Sequence, residues 1–174
     1  MPGPFTSRPE PSEYNPYFGK YIQLVPEGDI RLFLESQLHE FLTLLTPLTE
    51  PQSLVRHPPY TWSIKQVLGH ITDGERVFGH RALWIARGAP APLASFDEND
   101  FMRHIDFDQY PFSELLEEFA LVRRSQIQFF RHLDADSFLR RGIVGEHSTS
   151  VRALAYIMAG HAKHHLNILH QRLN

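Results

Sequence analysis

Cysteine is absent from the 174 residues, which excludes disulfides, thiolate metal sites, iron–sulfur clusters and cysteine nucleophiles. Any metal must therefore be held by nitrogen and oxygen. Basic runs dense enough to track phosphates are also missing. The chain has 17 Lys+Arg against 20 Asp+Glu and a formal net charge of −3, so nucleic acid is not an expected partner. No apolar stretch reaches membrane-spanning length. The first ten residues carry three prolines and two opposite charges, unlike the basic-then-apolar pattern of a secretory signal. The expectation is a cytoplasmic protein that does not engage membranes. What the chain has in excess is histidine, eleven in all, within a 42% apolar composition that supports one packed domain.

The 13 prolines partition the chain. Proline inside a helix costs about 3 kcal/mol, so long helices are expected in the proline-free windows 27–46, 60–89 and 112–174. Residues 1–28 read as an extended, proline-rich arm. Tyr14, Tyr17, Phe18 and Tyr21 make it too aromatic for a free tail, so it is expected to pack on the body, residues 29–174. There, Asp29 caps a first helix that ends at Thr46-Pro47. Ser63 and Gln66 form a capping box for a second helix that stops at Gly88, with Trp62 and Val67 placed as a hydrophobic staple. A third helix begins near Ser113 and a fourth near Ser150, with a local hairpin expected around 141–147. The predicted fold is all-α, a four-helix bundle whose long crossover between helices 2 and 3 lets those two run parallel.

The fourth helix carries GHAKHH at 160–165. His161 and His165 are one turn apart, about 6 Å, on the face that also holds Leu154 and Met158. One inward histidine is explained by a hydrogen-bonded neutral ring, but two in one apolar stripe leave ring nitrogens that a shared cation satisfies. Ala162 and His164 occupy the places where zinc peptidase motifs need glutamate, so a peptidase is disfavoured. A third ligand must come from another helix. His70 is the best donor: it flanks the core stripe of helix 2, about 10 Å from that helix's start, a distance that matches His165 from the end of helix 4 if the two are antiparallel. Glu75 points into the core and needs a partner, for which Arg123 is the candidate. Gly69 and Gly160, each next to a ligand candidate, suggest close helix packing or room for substrate.

The segments 60–88, with its WSIKQVLGH run ending at His70, 92–100 (PLASFDEND) and 150–169 resemble the DinB/YfiT-like superfamily, more narrowly its DinB-like (DinB_2) branch. The likeness extends over most of the chain. It implies a four-helix bundle with a long crossover, a divalent metal on His70, His161 and His165, and a homodimer. Relatives in the family include enzymes that use low-molecular-weight thiols.

Three imidazoles leave an open metal position, the ligand set of a catalytic site, and zinc, nickel and iron all suit it. The expected function is metal-assisted attack by water or a small thiol on a small-molecule substrate, as a hydrolase or thiol transferase. The competing reading is a non-catalytic metal-binding, stress-response or interaction protein. Asp73, one turn after His70, and His164, beside the ligand pair, are the candidate acid/base residues; an ion pair with Arg76 or Arg81 and solvent exposure are their plainer explanations. Tyr17 and Tyr21 are placed to cover the mouth of the site. His39, His57, His80, His104, His132, His147 and His170 have no functional case.

Overall fold

Asp29 accepts a hydrogen bond from the Arg31 N–H at 2.9 Å and so opens the first long helix, α1, Ile30–Leu45. Its Ile30, Leu34, Leu38, Phe41 and Leu45 repeat at helical spacing and are buried. Ser63 and Gln66 exchange two 3.0 Å hydrogen bonds as the capping box of α2, Ile64–Ala86. Past its end, Gly88 adopts φ +71°, a left-handed conformation that stops the helix. In α3, Phe112–Arg131, the Phe112 N–H is satisfied by Glu50 Oε2 at 2.9 Å from a distant part of the chain. The last helix, α4, is Val151–Leu173. It follows an antiparallel hairpin of β1, Arg141–Val144, and β2, His147–Ser150, whose turn uses Gly145 at φ +60°. This computed structural model describes residues 3–173. No helix among them is long and apolar enough to cross a membrane.

Side-chain pairs fix the helix directions. Glu75 pairs with Arg123 and Gly79 lies against Gln126, so α2 and α3 run parallel, as the long crossover allows. Arg172 donates to the Trp62 carbonyl at 2.9 Å, while Arg140, whose carbonyl accepts from the Val151 N–H at the start of α4 at 3.1 Å, bonds the Ala86 carbonyl. The start of α2 therefore meets the end of α4, and the two are antiparallel. Gln37 reaches Ala159 and Glu40 reaches Lys163, making α1 and α4 parallel.

One polar network lies inside this bundle. Arg123, 0% exposed, donates to Glu75 through Nε at 2.9 Å and Nη2 at 2.7 Å, to Gln37 Oε1 at 2.7 Å and to the Leu34 carbonyl at 3.3 Å. Gln37 in turn donates to the Ala159 carbonyl at 2.9 Å. The buried pair anticipated between Glu75 and Arg123 is thus part of a set that touches all four helices.

The arm departs from the extended form expected of it. It contains 3-10 turns at Pro11–Glu13 and Pro16–Phe18 and a single α-turn at Gly19–Ile22. The reason is position: proline at the first residue of a helical turn sacrifices no hydrogen bond, and its φ already suits the turn. Glu13, 2% exposed, anchors the arm by accepting from Ser150 Oγ at 2.6 Å and Arg152 Nε at 3.1 Å.

Two expected outcomes follow from these contacts. Glu75→Ala leaves the Arg123 guanidinium buried without its carboxylate and should cost about 3–5 kcal/mol in urea unfolding, whereas Glu75→Leu with Arg123→Met should cost less than the two single changes together. Simple additivity would show that the two groups are uncoupled. For Glu13, burial raises the carboxyl pKa, but the hydrogen bonds from Arg152 and Ser150 outweigh it and leave the pKa below its ordinary value of 4.5. A depressed pKa stabilises the folded state fully above pH 4.5 and loses that contribution as pH falls through the lower, folded value. Stability measured from pH 6 to 3 should therefore fall less steeply in Glu13→Gln than in the parent; parallel curves would contradict this.

Candidate metal centre

The antiparallel pairing of α2 and α4 puts His70 beside His161 and His165. Ring centroids are 4.8 Å apart for His70–His161, 4.8 Å for His70–His165 and 4.7 Å for His161–His165. The Nε2 atoms of His70 and His161 approach to 2.9 Å, and one nitrogen from each of the three rings lies within 4.8 Å of the others. Beyond that one approach, the three rings have no hydrogen-bond partner among the described residues.

Aromatic rings enclose the cluster. Trp62 lies 5.0 Å from His70, and Tyr21 and Phe78 lie 5.5 Å and 5.8 Å from His161, centroid to centroid. His70 and His161 are each 7% exposed. Burial pushes the His70 pKa down to about 4. Burial, reinforced by the neighbouring imidazoles, holds His161 and His165 well below the ordinary histidine value. All three are therefore neutral at pH 7, the protonation state in which imidazole donates to a metal. A single N–H···N bond between His70 and His161 would leave His165 unsatisfied, whereas one divalent ion at about 2.0–2.1 Å from each nitrogen would use all three. The donor set fits such an ion.

The cluster opens into a cavity of about 630 Å³ that His70 and His161 line directly. Its walls come from the arm (Asn15, Tyr17, Tyr21), the crossover (Phe96, Glu98), the hairpin and the facing sides of α2 and α4. Tyr17 and Tyr21 thus stand at the cavity, where they were expected. Desolvation and the Tyr17 hydroxyl push the Tyr21 pKa far up, keeping its hydroxyl protonated.

The other two candidate residues stand apart. Asp73 does not line the cavity. Its neighbour is Arg76 on the same helix, with Nη1 3.6 Å away, and Arg76 in turn bonds Glu118 of α3 at 2.6 Å; burial raises the Asp73 pKa against the pull of Arg76. His164 lies outside the converging set, its ring 5.0 Å from His165 and 5.5 Å from Tyr21. Burial and then the charge of Lys20 lower its pKa.

Of the two explanations for the glycines, packing holds for Gly69 and Gly160. Gly69 lies against the Phe107 ring and Gly160 against the Tyr21 backbone, so both serve packing. Gly74 is the one that makes room at the cluster: a Cβ there would come within 3.1 Å of His161 Cε1. Sequence reasoning also missed Glu98 and Arg81, which line the cavity with His70 and His161. Arg81 follows His70 by about three helical turns and shares its direction, a signal that was available. Glu98 lies in the aperiodic crossover, where no such signal exists.

The family model for the DinB superfamily matches residues 34–169. Among solved structures, YfiT from Bacillus subtilis is similar, with a TM-score of 0.70 and 17% identity over 95% of this chain and 93% of that chain. That protein is described as "a probable metal-dependent hydrolase with an unusual four-helix bundle topology". At this identity the likeness supports the fold alone. No curated protein matches this chain closely enough to count as a relative.

Gly160→Ala tests how the arm is seated over His161. The added methyl would overlap the Tyr21 carbonyl, so the Gly19–Ile22 turn must lift from α4. Stability should fall by about 1–3 kcal/mol in denaturant unfolding, with faster proteolysis between residues 15 and 25. Unchanged stability and cleavage would show that the turn yields without cost.

Proposed function

The chain belongs to the DinB superfamily, and on that footing we propose that it is a metal-dependent hydrolase whose ion is held by His70, His161 and His165. One observation carries this reading: three neutral imidazoles converge with no hydrogen-bond partner outside their own cluster, and two of them, His70 and His161, line a cavity large enough for a small molecule. The description of YfiT as a hydrolase supports the same class of reaction.

When bound, a divalent zinc, nickel or iron ion supplies Lewis acidity that brings water, or a small thiol, to its nucleophilic form near neutral pH. The three histidines would hold the ion and, being neutral, would leave its charge undiminished. Trp62, Phe78 and Tyr21 exclude bulk water around them, which strengthens electrostatic interactions at the reacting group. Glu98 is the cavity carboxylate whose charge acts on both His70 and Tyr21. Its carboxylate oxygen accepts the proton released by the nucleophile and returns it to the leaving group. The protonated Tyr21 hydroxyl donates to negative charge developing on the substrate. Asp73 has no part in this scheme, and His164 acts only through its edge contacts with His165 and Tyr21.

Water needs nothing further from the chain. A thiol must arrive as a small molecule, because the chain has no cysteine. The cavity favours catalysis over a purely structural ion, since a structural site is closed by protein ligands.

Elemental analysis of protein purified without added metal should find close to one equivalent of a divalent metal per chain, and His70→Ala, His161→Ala and His165→Ala should each lose it. Unchanged metal content in those variants would sink the assignment. A panel of esters, amides and alkyl electrophiles, assayed with and without added thiols, separates the two nucleophiles: turnover that needs the metal alone supports hydrolysis, and turnover that also needs thiol supports transfer.

A further inference from the structure

Arg81 is only 5% exposed, yet it lines the same cavity as His70 and His161. Two other buried cations of the chain have a carboxylate, and a third does not. Arg123 has Glu75 and Lys65 has Glu50, whereas Arg172 bonds two carbonyls and His57 and leaves Nη1 without a partner, but away from this cavity. Arg81 makes one hydrogen bond, from Nη2 to the Ala94 carbonyl at 2.7 Å, and no carboxylate pairs with it among the described residues. Its guanidinium lies 5.1 Å from the Phe96 ring centroid. Most of its N–H donors are left without a protein acceptor, on a group that stays charged at any physiological pH. Those donors face the cavity, where an acceptor on a bound molecule can reach them.

Its place along α2 gives this charge a meaning. Arg81 lies on the same side of the helix as His70, roughly 16 Å further along the axis, and helical side chains lean back toward the N-terminus, which shortens that gap. Phe78 and Gly74 lie between them, and Leu154 and Ile157 of α4 face the same space. The cavity thus runs from the histidine nitrogens, along an apolar stretch, to a cation that no carboxylate pairs with among the described residues.

Resting on the reading of this cavity as the substrate site, we infer that the substrate is an amphipathic small molecule whose terminal carboxylate is held by Arg81. Its reacting group lies at the histidine end, and an apolar span rests on Phe78, Leu154 and Ile157. Arg81 is a specificity residue in this scheme and stands away from the reacting atoms. Three carboxylates also line the cavity, and none pairs with Arg81: Asp97 accepts from the Asn99 N–H at 2.8 Å, Glu146 is exposed in the hairpin turn, and Glu98 acts on the histidine end. Their presence favours a monoanion over a dianion such as a phosphate ester, which would bring a second charge into an acidic surrounding.

Isothermal titration of the chelator-stripped full-length protein with 6-phenylhexanoate and with its primary amide tests this without relying on turnover. The carboxylate should bind about tenfold more tightly than the amide. Arg81→Met should abolish that preference while binding the amide as the parent does, and Arg81→Lys should retain part of it. Equal binding of the two probes by the parent would overturn the proposal, as would a preference that survives in Arg81→Met. So would tighter binding of the matching phosphonate dianion. A preference that appears only in zinc-loaded protein would place the carboxylate on the metal and would also overturn it. The comparison of the two probes on the parent decides the matter even if Arg81→Met fails to fold. Because the titration uses metal-free protein, loss of the metal assignment leaves this result readable, and the two ideas fail separately.

Discussion

A buried guanidinium holds the bundle in register. Arg123 and Glu75 are both removed from water, a cost of several kcal/mol per charge that is offset only when every strong donor and acceptor finds a partner. Here the partners come from different helices: Glu75 from α2, Gln37 and the Leu34 carbonyl from α1, and through Gln37 the Ala159 carbonyl of α4. Sliding α2 or α3 by a turn would strand a charge, and sliding α1 or α4 would break the Gln37 bonds that complete the set. The metal centre inherits this constraint, since Ala159 lies two residues before His161 and Glu75 little more than a turn beyond His70. The network sets the level at which the three imidazoles meet.

The direction of the helices comes from the crossover, and the crossover also makes the cavity. Parallel α2 and α3 require a long connection, and residues 87–111 do more than span it. Leu93 pairs with the hairpin, donating to the Ile143 carbonyl at 2.9 Å and accepting from the Gly145 N–H at 2.7 Å. This leaves Phe96 and Glu98 lining the cavity that His70 and His161 also line. The arm completes the enclosure from the other side. Its seat depends on a glycine, because the Tyr21 backbone comes so close to α4 that only residue 160 without a side chain admits it. Two segments outside the four helices thus give the site its walls, and the four helices give it its ligands.

Much of the bundle was legible in the sequence. The capping box at Ser63 and Gln66 and the cap at Asp29 mark helix starts because unpaired N–H groups there demand specific side chains. Glu75 declared its ion pair because a carboxylate in an apolar stripe has few alternatives. Proline misled at one place: the arm was read as extended because proline breaks helices, but Pro11 and Pro16 sit at the first position of short turns, where nothing is broken. Gly69 and Gly160 showed that something approaches closely without showing what; the partners are Phe107 and Tyr21, remote in sequence.

The sequence by itself determined a nitrogen-and-oxygen donor set, the boundaries of four helices, and the phase that turns His161 and His165 to one side. These are local properties, governed by composition and by a rotation of about 100° per residue. The tertiary structure alone decided that Asp73 stands outside the cavity, that Gly74 makes room beside His161, and that Glu98 and Arg81 share a cavity with the histidines. Those outcomes depend on how loops without periodicity pack and on the relative level of antiparallel helices, which no repeat along a single chain encodes.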